Sequence, residues 1–250
     1  MSDFNRGYAR PVPGTADMSV DAGLRAFMLG VFNKMALGLV LSGILAFVTS
    51  SVAPVRDLLF QVTPDGRLAG YTILGWIVAF APIAVLLFGG FTRREPDART
   101  AGITYWAIVS LIGASMGAIF LLYTGASVAS TFFITAASFG ALSLVGYTTK
   151  KDLTGFGSFL IMGVIGIIIA SLVNIFLKSP AIYFVINALG VLIFAGLTAY
   201  DTQRLKMTYY AIGGDRNALG VATNYGALSL YLDFINLFQF LLAFMGNRRS

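Results

Sequence analysis

Apolar residues run along this chain in long blocks rather than in strict alternation. Seven blocks, 29–50, 70–90, 102–123, 128–147, 156–177, 181–200 and 226–246, approach the length of about 20 apolar residues that a helix needs to cross a hydrocarbon core. The stretches between the last five blocks are short until 201–225, which forces neighbouring helices to run antiparallel in a compact bundle. The predicted fold class is an all-α membrane protein, a bundle of seven transmembrane helices. Its expected organisation is a polar N-terminal tail over 1–28, a helical domain over 29–246 and a short polar tail over 247–250. No sequence repeat divides the chain.

Within the blocks, small residues recur where helices approach closely. Gly113 and Gly117 form a GxxxG pair, Gly38, Ser42 and Gly43 cluster in the first block, and Gly163 and Gly166 lie in the fifth. Tyr105, Trp106, Tyr183, Tyr209 and Tyr210 fall near block ends, as interfacial anchors do.

Composition sharpens the class. Hydrophobic residues make up 57% of the chain and charged residues 11%, against about a quarter charged in soluble domains. Cysteine and histidine are absent. That excludes disulfides, thiolate nucleophiles, Cys/His metal sites and histidine-based triads. A metal here must be hard and oxygen-bound, as calcium is. The net charge of +6 reads as basic loops against anionic lipid rather than as a nucleic-acid surface. Residues 1–23 are polar and lack the apolar core of a cleaved leader, so the first helix is expected to insert as an anchor.

Basic residues set the orientation. Arg6, Arg10, Arg25, Arg93, Arg94, Arg99, Lys150, Lys151, Arg204, Lys206 and Arg216 put eleven on one side. Arg56, Arg67, Lys178, Arg248 and Arg249 put five on the other. The richer side is cytoplasmic, which places the N-terminus inside and, after seven crossings, the C-terminus outside. Arg248-Arg249 argues mildly against this, and a re-entrant last segment or a neighbouring one that fails to span would put the tail inside.

Two lone acids stand out in this apolar background. Asp201 lies in Ala199-Tyr-Asp-Thr-Gln203, and Asp233 in Leu230-Tyr-Leu-Asp-Phe-Ile-Asn-Leu237. An ionisable residue at membrane depth is costly and marks a functional site by default. Asp201 is expected to end the sixth helix, with Arg204 one turn on as a partner if it is merely solvated. Asp233 is expected about two turns into the seventh, roughly 10 Å from its start, at similar depth. Two carboxyls meeting in a poorly hydrated site either share a proton or hold a cation between them. Around them, Asn236 and Gln239 extend Asp233 into a polar stripe, Tyr200 and Tyr231 are candidate hydrogen-bond donors, and Lys34 lies one turn inside the first helix, where it can snorkel to headgroups. Asn174 and Asn187 read as interhelical hydrogen-bonding groups.

The segments also resemble a known family. Thr131-Phe-Phe-Ile-Thr-Ala-Ala-Ser-Phe-Gly-Ala-Leu-Ser143, Gly146-Tyr-Thr-Thr-Lys-Lys-Asp-Leu-Thr-Gly155, Gly196-Leu-Thr-Ala-Tyr-Asp-Thr-Gln203 and Leu230-Tyr-Leu-Asp-Phe-Ile-Asn-Leu-Phe238 are similar, in order and spacing, to signatures of the Bax inhibitor-1 family. The match spans about 24–246, and the basic loop is most like the bacterial branch. The resemblance implies a bundle with the last helix central, and a pH-sensitive calcium leak gated by paired aspartates at the positions of Asp201 and Asp233. In bacterial members it implies an inner-membrane location and association with an FtsH-type protease. No resident cofactor is implied beyond calcium as permeant ion, with the two acids as its contacts. Some members latch the sixth-helix aspartate with a basic residue of the second helix; 70–90 here holds no Lys or Arg, leaving Lys34 as the substitute to consider.

The rival to a cation pathway is a membrane adaptor in which the acids keep helices in register. An enzyme is not expected. Ala199-Tyr-Asp201 resembles the first motif of intramembrane aspartyl proteases, but the second acid sits in Tyr-Leu-Asp, and no Pro-Ala-Leu follows it. The orientation has a direct test. Arg6→Cys, the sole thiol of the chain, should react with an impermeant maleimide only after cells are permeabilised; labelling of intact cells would reverse the topology.

Overall fold

The computed structural model describes residues 21–91 and 97–249. Arg6, Arg10, Arg93 and Arg94, which weigh in the orientation argument, lie outside the described residues. The elements are α1 (Ala22–Ser51), α2 (Ala53–Leu59), β1 (Phe60–Val62), β2 (Leu68–Tyr71), α3 (Ile73–Phe91), α4 (Ala98–Ser115), α5 (Gly117–Leu122), α6 (Gly125–Thr148), α7 (Thr154–Leu177), α8 (Pro180–Ile212) and α9 (Arg216–Met245).

Helix starts follow from short polar side chains that accept from the free amides of a first turn. Asp21 caps Gly23 and Leu24, Asp97 caps Thr100, Ser179 caps Ile182 just before Pro180, and Asp215 caps Asn217 and Ala218. Among the described residues, six spans are long and apolar enough to cross a membrane: α1, α4 with α5, α6, α7, α8 and α9. The stretch Ile73–Leu87 of α3 is a shorter apolar helix. The many exposed large hydrophobics, such as Phe133, Phe159 and Phe176, coat the bundle with the surface that lipid requires. The protein is a helical membrane protein embedded in the bilayer.

Two expectations are corrected, and a third feature was not anticipated. The segment 201–225 is not a long connection: α8 runs on to Ile212, α9 begins at Arg216, and only three residues join them. Gly213 (φ 66°) and Gly214 (φ 95°) make that reversal in the left-handed region that β-carbons disfavour. Polar residues hid these extensions, because both helices continue past the apolar stretch. Second, the block 102–123 is broken at Met116 into α4 and α5. Third, the connection between the first two blocks contains α2 and an antiparallel hairpin, with Phe60 opposite Tyr71, whose buried Phe60 packs with Leu59, Ala118 and Leu121.

α9 packs against α1, α4, α6 and α8. It is the most buried of the six spans, with half of its most apolar stretch inside the protein. Phe234 meets Phe132 and Phe139 of α6 edge-on, at ring distances of 5.5 Å each. The α1–α4 crossing depends on small residues, as the sequence suggested. A β-carbon on Gly113 would stand 2.6 Å from the Ser42 Cα, and Ser42 Oγ and Thr49 Oγ1 donate to the carbonyls of Val109 and Ala114 at 3.1 and 3.0 Å. Gly43 and Gly166, by contrast, face open space.

Gly113→Val should therefore destabilise the protein by about 1–3 kcal/mol through overpacking against backbone, read as a fall in thermal midpoint in detergent, while Gly43→Ala should leave the midpoint unchanged. Equal midpoints for the two variants would contradict the close crossing.

Candidate functional site

Asp201 does not end a helix. It sits in mid-α8, 6% exposed, with eleven further helical residues after it, so the reading of a solvated residue past a helix end fails. Asp233, 5% exposed, lies about five turns into α9 rather than two, because α9 starts ten residues earlier than the apolar block. At 1.5 Å per residue it is roughly 25 Å from the helix start. The two corrections are equal in kind, since α8 and α9 form one antiparallel hairpin and both extend by similar lengths. The expected matching of depth survives them.

Asp201 and Asp233 face each other closely enough across the α8–α9 seam to interact electrostatically. A hydrogen bond between two carboxyls needs a proton on one of them. Asp201 has further partners. Arg204 Nη2 lies 3.3 Å from Asp201 Oδ1 and donates to Ser229 Oγ at 3.2 Å, and Ser229 Oγ in turn donates to Asp201 Oδ2. Arg204, Ser229 and Asp201 thus close a ring that ties α8 to α9. The guanidinium also lies over the Tyr200 ring at 5.7 Å. The cation beside Asp201 is Arg204 of α8 itself, the partner that helical spacing offered, and not Lys34.

Asp233 is the less satisfied acid. Its Oδ2 is buried with no hydrogen-bond partner, a condition that only Ser143 Oγ shares among the described residues. Ser143 lies on the buried face of α6, one turn after Phe139, which touches Phe234, and three residues before Gly146, whose Cβ position abuts the Ala199 carbonyl. Both orphaned oxygens therefore belong to the region where α6, α8 and α9 converge. Buried polar atoms of this kind are costly unless a proton, water or ion meets them.

The remaining candidates separate from the pair. Tyr231 is fully buried, and its hydroxyl is 2.7 Å from Ser42 Oγ. Because Ser42 spends its one proton on the Val109 carbonyl, Tyr231 is the donor, and it serves the α1–α4–α9 junction instead of the acids. Tyr200 stacks under Arg204 and against Gly157 of α7. Asn236 donates to the Leu232 carbonyl of its own helix and Gln239 is exposed, so the expected polar stripe does not form a lining. Lys34 is neither free in the headgroups nor near Asp201: its ammonium donates to Asn224 Oδ1 of α9 and lies over the Tyr105 and Trp106 rings at 5.4 and 6.0 Å. Tyr105, expected as an interfacial anchor, is 1% exposed and donates to the Lys34 carbonyl at 2.7 Å. Asn174 and Asn187 make local bonds, to Ser179 N and the Tyr183 carbonyl, rather than bonds between helices.

Sequence reasoning missed Ser229, Asn224 and Gln203. Ser229 carried a usable signal, standing one helical turn before Asp233. Gln203 has none in the sequence: its amide donates to the Lys151 carbonyl at 2.7 Å and accepts from Leu153 N at 2.8 Å, clamping the α6–α7 connection. Beside it, Lys206 Nζ donates to the Tyr147 carbonyl at 3.0 Å. No group of three or more acids, histidines or cysteines able to hold a metal occurs among the described residues, so two carboxyls are the most that α8 and α9 offer a cation.

A membrane-embedded helical bundle with an interacting acid pair in its most buried seam is the class that the fold and site define. The sequence matches the family described as "Inhibitor of apoptosis-promoting Bax1" over residues 24–250, and the chain belongs to that family. Similar relatives include an uncharacterized protein of Caulobacter vibrioides, 70% identical over the full length of both chains. A Rickettsia prowazekii protein is 47% identical over 97% of this chain and 99% of its own. The "Inner membrane protein YbhL" of Escherichia coli is 43% identical over 91% of this chain and 94% of its own.

The ring around Asp201 predicts unequal mutational costs. Ser229→Ala removes a half-buried donor to the buried Asp201 carboxylate and should lower stability by about 1–3 kcal/mol. Arg204→Gln removes a guanidinium whose side chain is 48% exposed, and solvent screening should hold its cost to about 1 kcal/mol or less. Thermal midpoints of the two variants check the order, and a reversed order would show that the ion pair dominates.

Proposed function

We propose that the protein is a pH-sensitive cation leak of the bacterial inner membrane, with calcium the expected ion, gated by Asp201 and Asp233. The observation that carries this reading is the meeting of the two carboxyls in the α8–α9 seam, with one oxygen of Asp233 buried and unpartnered. With one proton between them, the pair is a contact that holds α8 to α9. Loss of that proton leaves two negative charges, of which Arg204 offsets one. The remaining charge favours parting the seam and admitting a cation. Asp201 and Arg204 are the charged groups that act on Asp233; Lys34 is held at Asn224, and Lys206 at the Tyr147 carbonyl.

In this reading α3 makes the seventh crossing despite its length, with Pro82 inside it, the last helix is the central one, the N-terminus is cytoplasmic, and the C-terminus is external. The name of the Escherichia coli relative supports the inner membrane as the location. No catalytic residue and no resident cofactor belongs to the proposal. An adaptor that restrains an FtsH-type protease is the outcome to accept if the leak is absent.

Calcium flux into proteoliposomes over a pH series tests the proposal. Wild-type flux should rise as pH rises through deprotonation of the pair, and Asp233→Asn should reconstitute normally while losing most of that pH dependence. A folded Asp233→Asn variant that keeps the wild-type profile would remove the pair from the gate.

A further inference from the structure

The α6–α7 connection carries a feature that the gate does not use. Lys150 and Lys151 are exposed side by side between Thr148, the last residue of α6, and Thr154, the first of α7. Neither has an ion-pair partner among the described residues. The nearest acid in sequence, Asp152, is committed elsewhere: it accepts from Thr154 Oγ1 at 2.6 Å and Thr154 N at 2.8 Å, and these bonds hold its carboxyl below the usual range. With Asp152 held on Thr154, the connection keeps a net positive charge at the rim of two membrane-spanning helices.

The same connection is fastened to the helix that bears Asp201. Gln203 grips it on both sides, through the Lys151 carbonyl and Leu153 N, and Lys206 holds the Tyr147 carbonyl. Gln203 is 4% exposed and Lys206 6% exposed, so these bonds are sheltered from water. They fall two and five residues beyond Asp201, flanking Arg204. Any force on the connection is delivered to α8 within one or two turns of the acid pair.

We propose that Lys150 and Lys151 form a seat for anionic phospholipid headgroups, and that Gln203 and Lys206 transmit its occupancy to α8 beside Asp201. The occupant follows from charge and place. The two ammonium groups stand where spans that must lie in hydrocarbon reach the headgroup layer, on the side that the basic residues assign to the cytoplasm, and lipid phosphates are the anions of that layer. The binding half stands without the gating reading; the transmission half rests on it.

The full chain in vesicles of phosphatidylcholine, with or without phosphatidylglycerol, tests both halves. Amide hydrogen exchange at residues 149–153 should slow when phosphatidylglycerol is present, by about fivefold per lysine engaged. The doubly neutralised Lys150→Gln, Lys151→Gln protein should lose this slowing, and Lys150→Arg with Lys151→Arg should retain it, which separates charge from folding. Equal exchange in both lipids would overturn the seat. So would full slowing in the Gln variant, or the same slowing from soluble glycerol phosphate added to phosphatidylcholine vesicles. For transmission, phosphatidylglycerol should alter the pH profile of calcium flux in wild type and not in Gln203→Ala, whose loop should exchange faster overall yet still slow when phosphatidylglycerol is added. A Gln203→Ala profile that still follows the lipid would overturn the coupling. Absence of flux in every protein would overturn the leak and the transmission, while the exchange result would still decide the seat.

Discussion

A carboxyl group inside a bundle that faces lipid has no water to turn to, so its partners must come from neighbouring helices. Asp201 and Asp233 meet this constraint in unequal ways. Asp201 is surrounded by Arg204, Ser229 and the other acid, while Asp233 retains an oxygen with nothing opposite it. That inequality is what the proposed gate uses. A fully satisfied network would lock α8 to α9, and an apolar seam would have nothing to titrate. In the proposed gate, one satisfied and one unsatisfied carboxyl make the contact that a proton or a cation would strengthen.

The surrounding structure keeps that seam narrow. α9 is flanked by α1, α4 and α6 as well as α8. The contacts on its far side are made from small residues and hydroxyls: Gly113 admits α1 to α4, and Tyr231 donates into the junction through Ser42. Lys34 closes the same side with Asn224 and two aromatic faces. On the near side, Gln203 and Lys206 fasten α8 to the end of α6 and the start of α7. Among the described residues the other buried polar groups are almost all paired, and in the proposed gate a change of charge at the acids is relieved in the α8–α9 seam.

The blocks of apolar residues, the scarcity of charge, the absence of cysteine and histidine, and the two isolated aspartates were legible in the sequence, because each is a property of composition or of position along one chain. So was the pairing of Arg204 with Asp201, a matter of helical spacing. Helix ends were less legible where polar helices continue beyond the membrane: α8 and α9 extend into what composition marks as a loop, since hydropathy reports the solvent and not the backbone hydrogen bonds. Only the tertiary structure decided which partner each polar group takes. Lys34 with Asn224, Tyr231 with Ser42, and Gln203 with the Lys151 carbonyl join residues far apart in the chain. Such pairings depend on the rotation and axial register of one helix against another, which side-chain packing sets jointly over the bundle and no local pattern records.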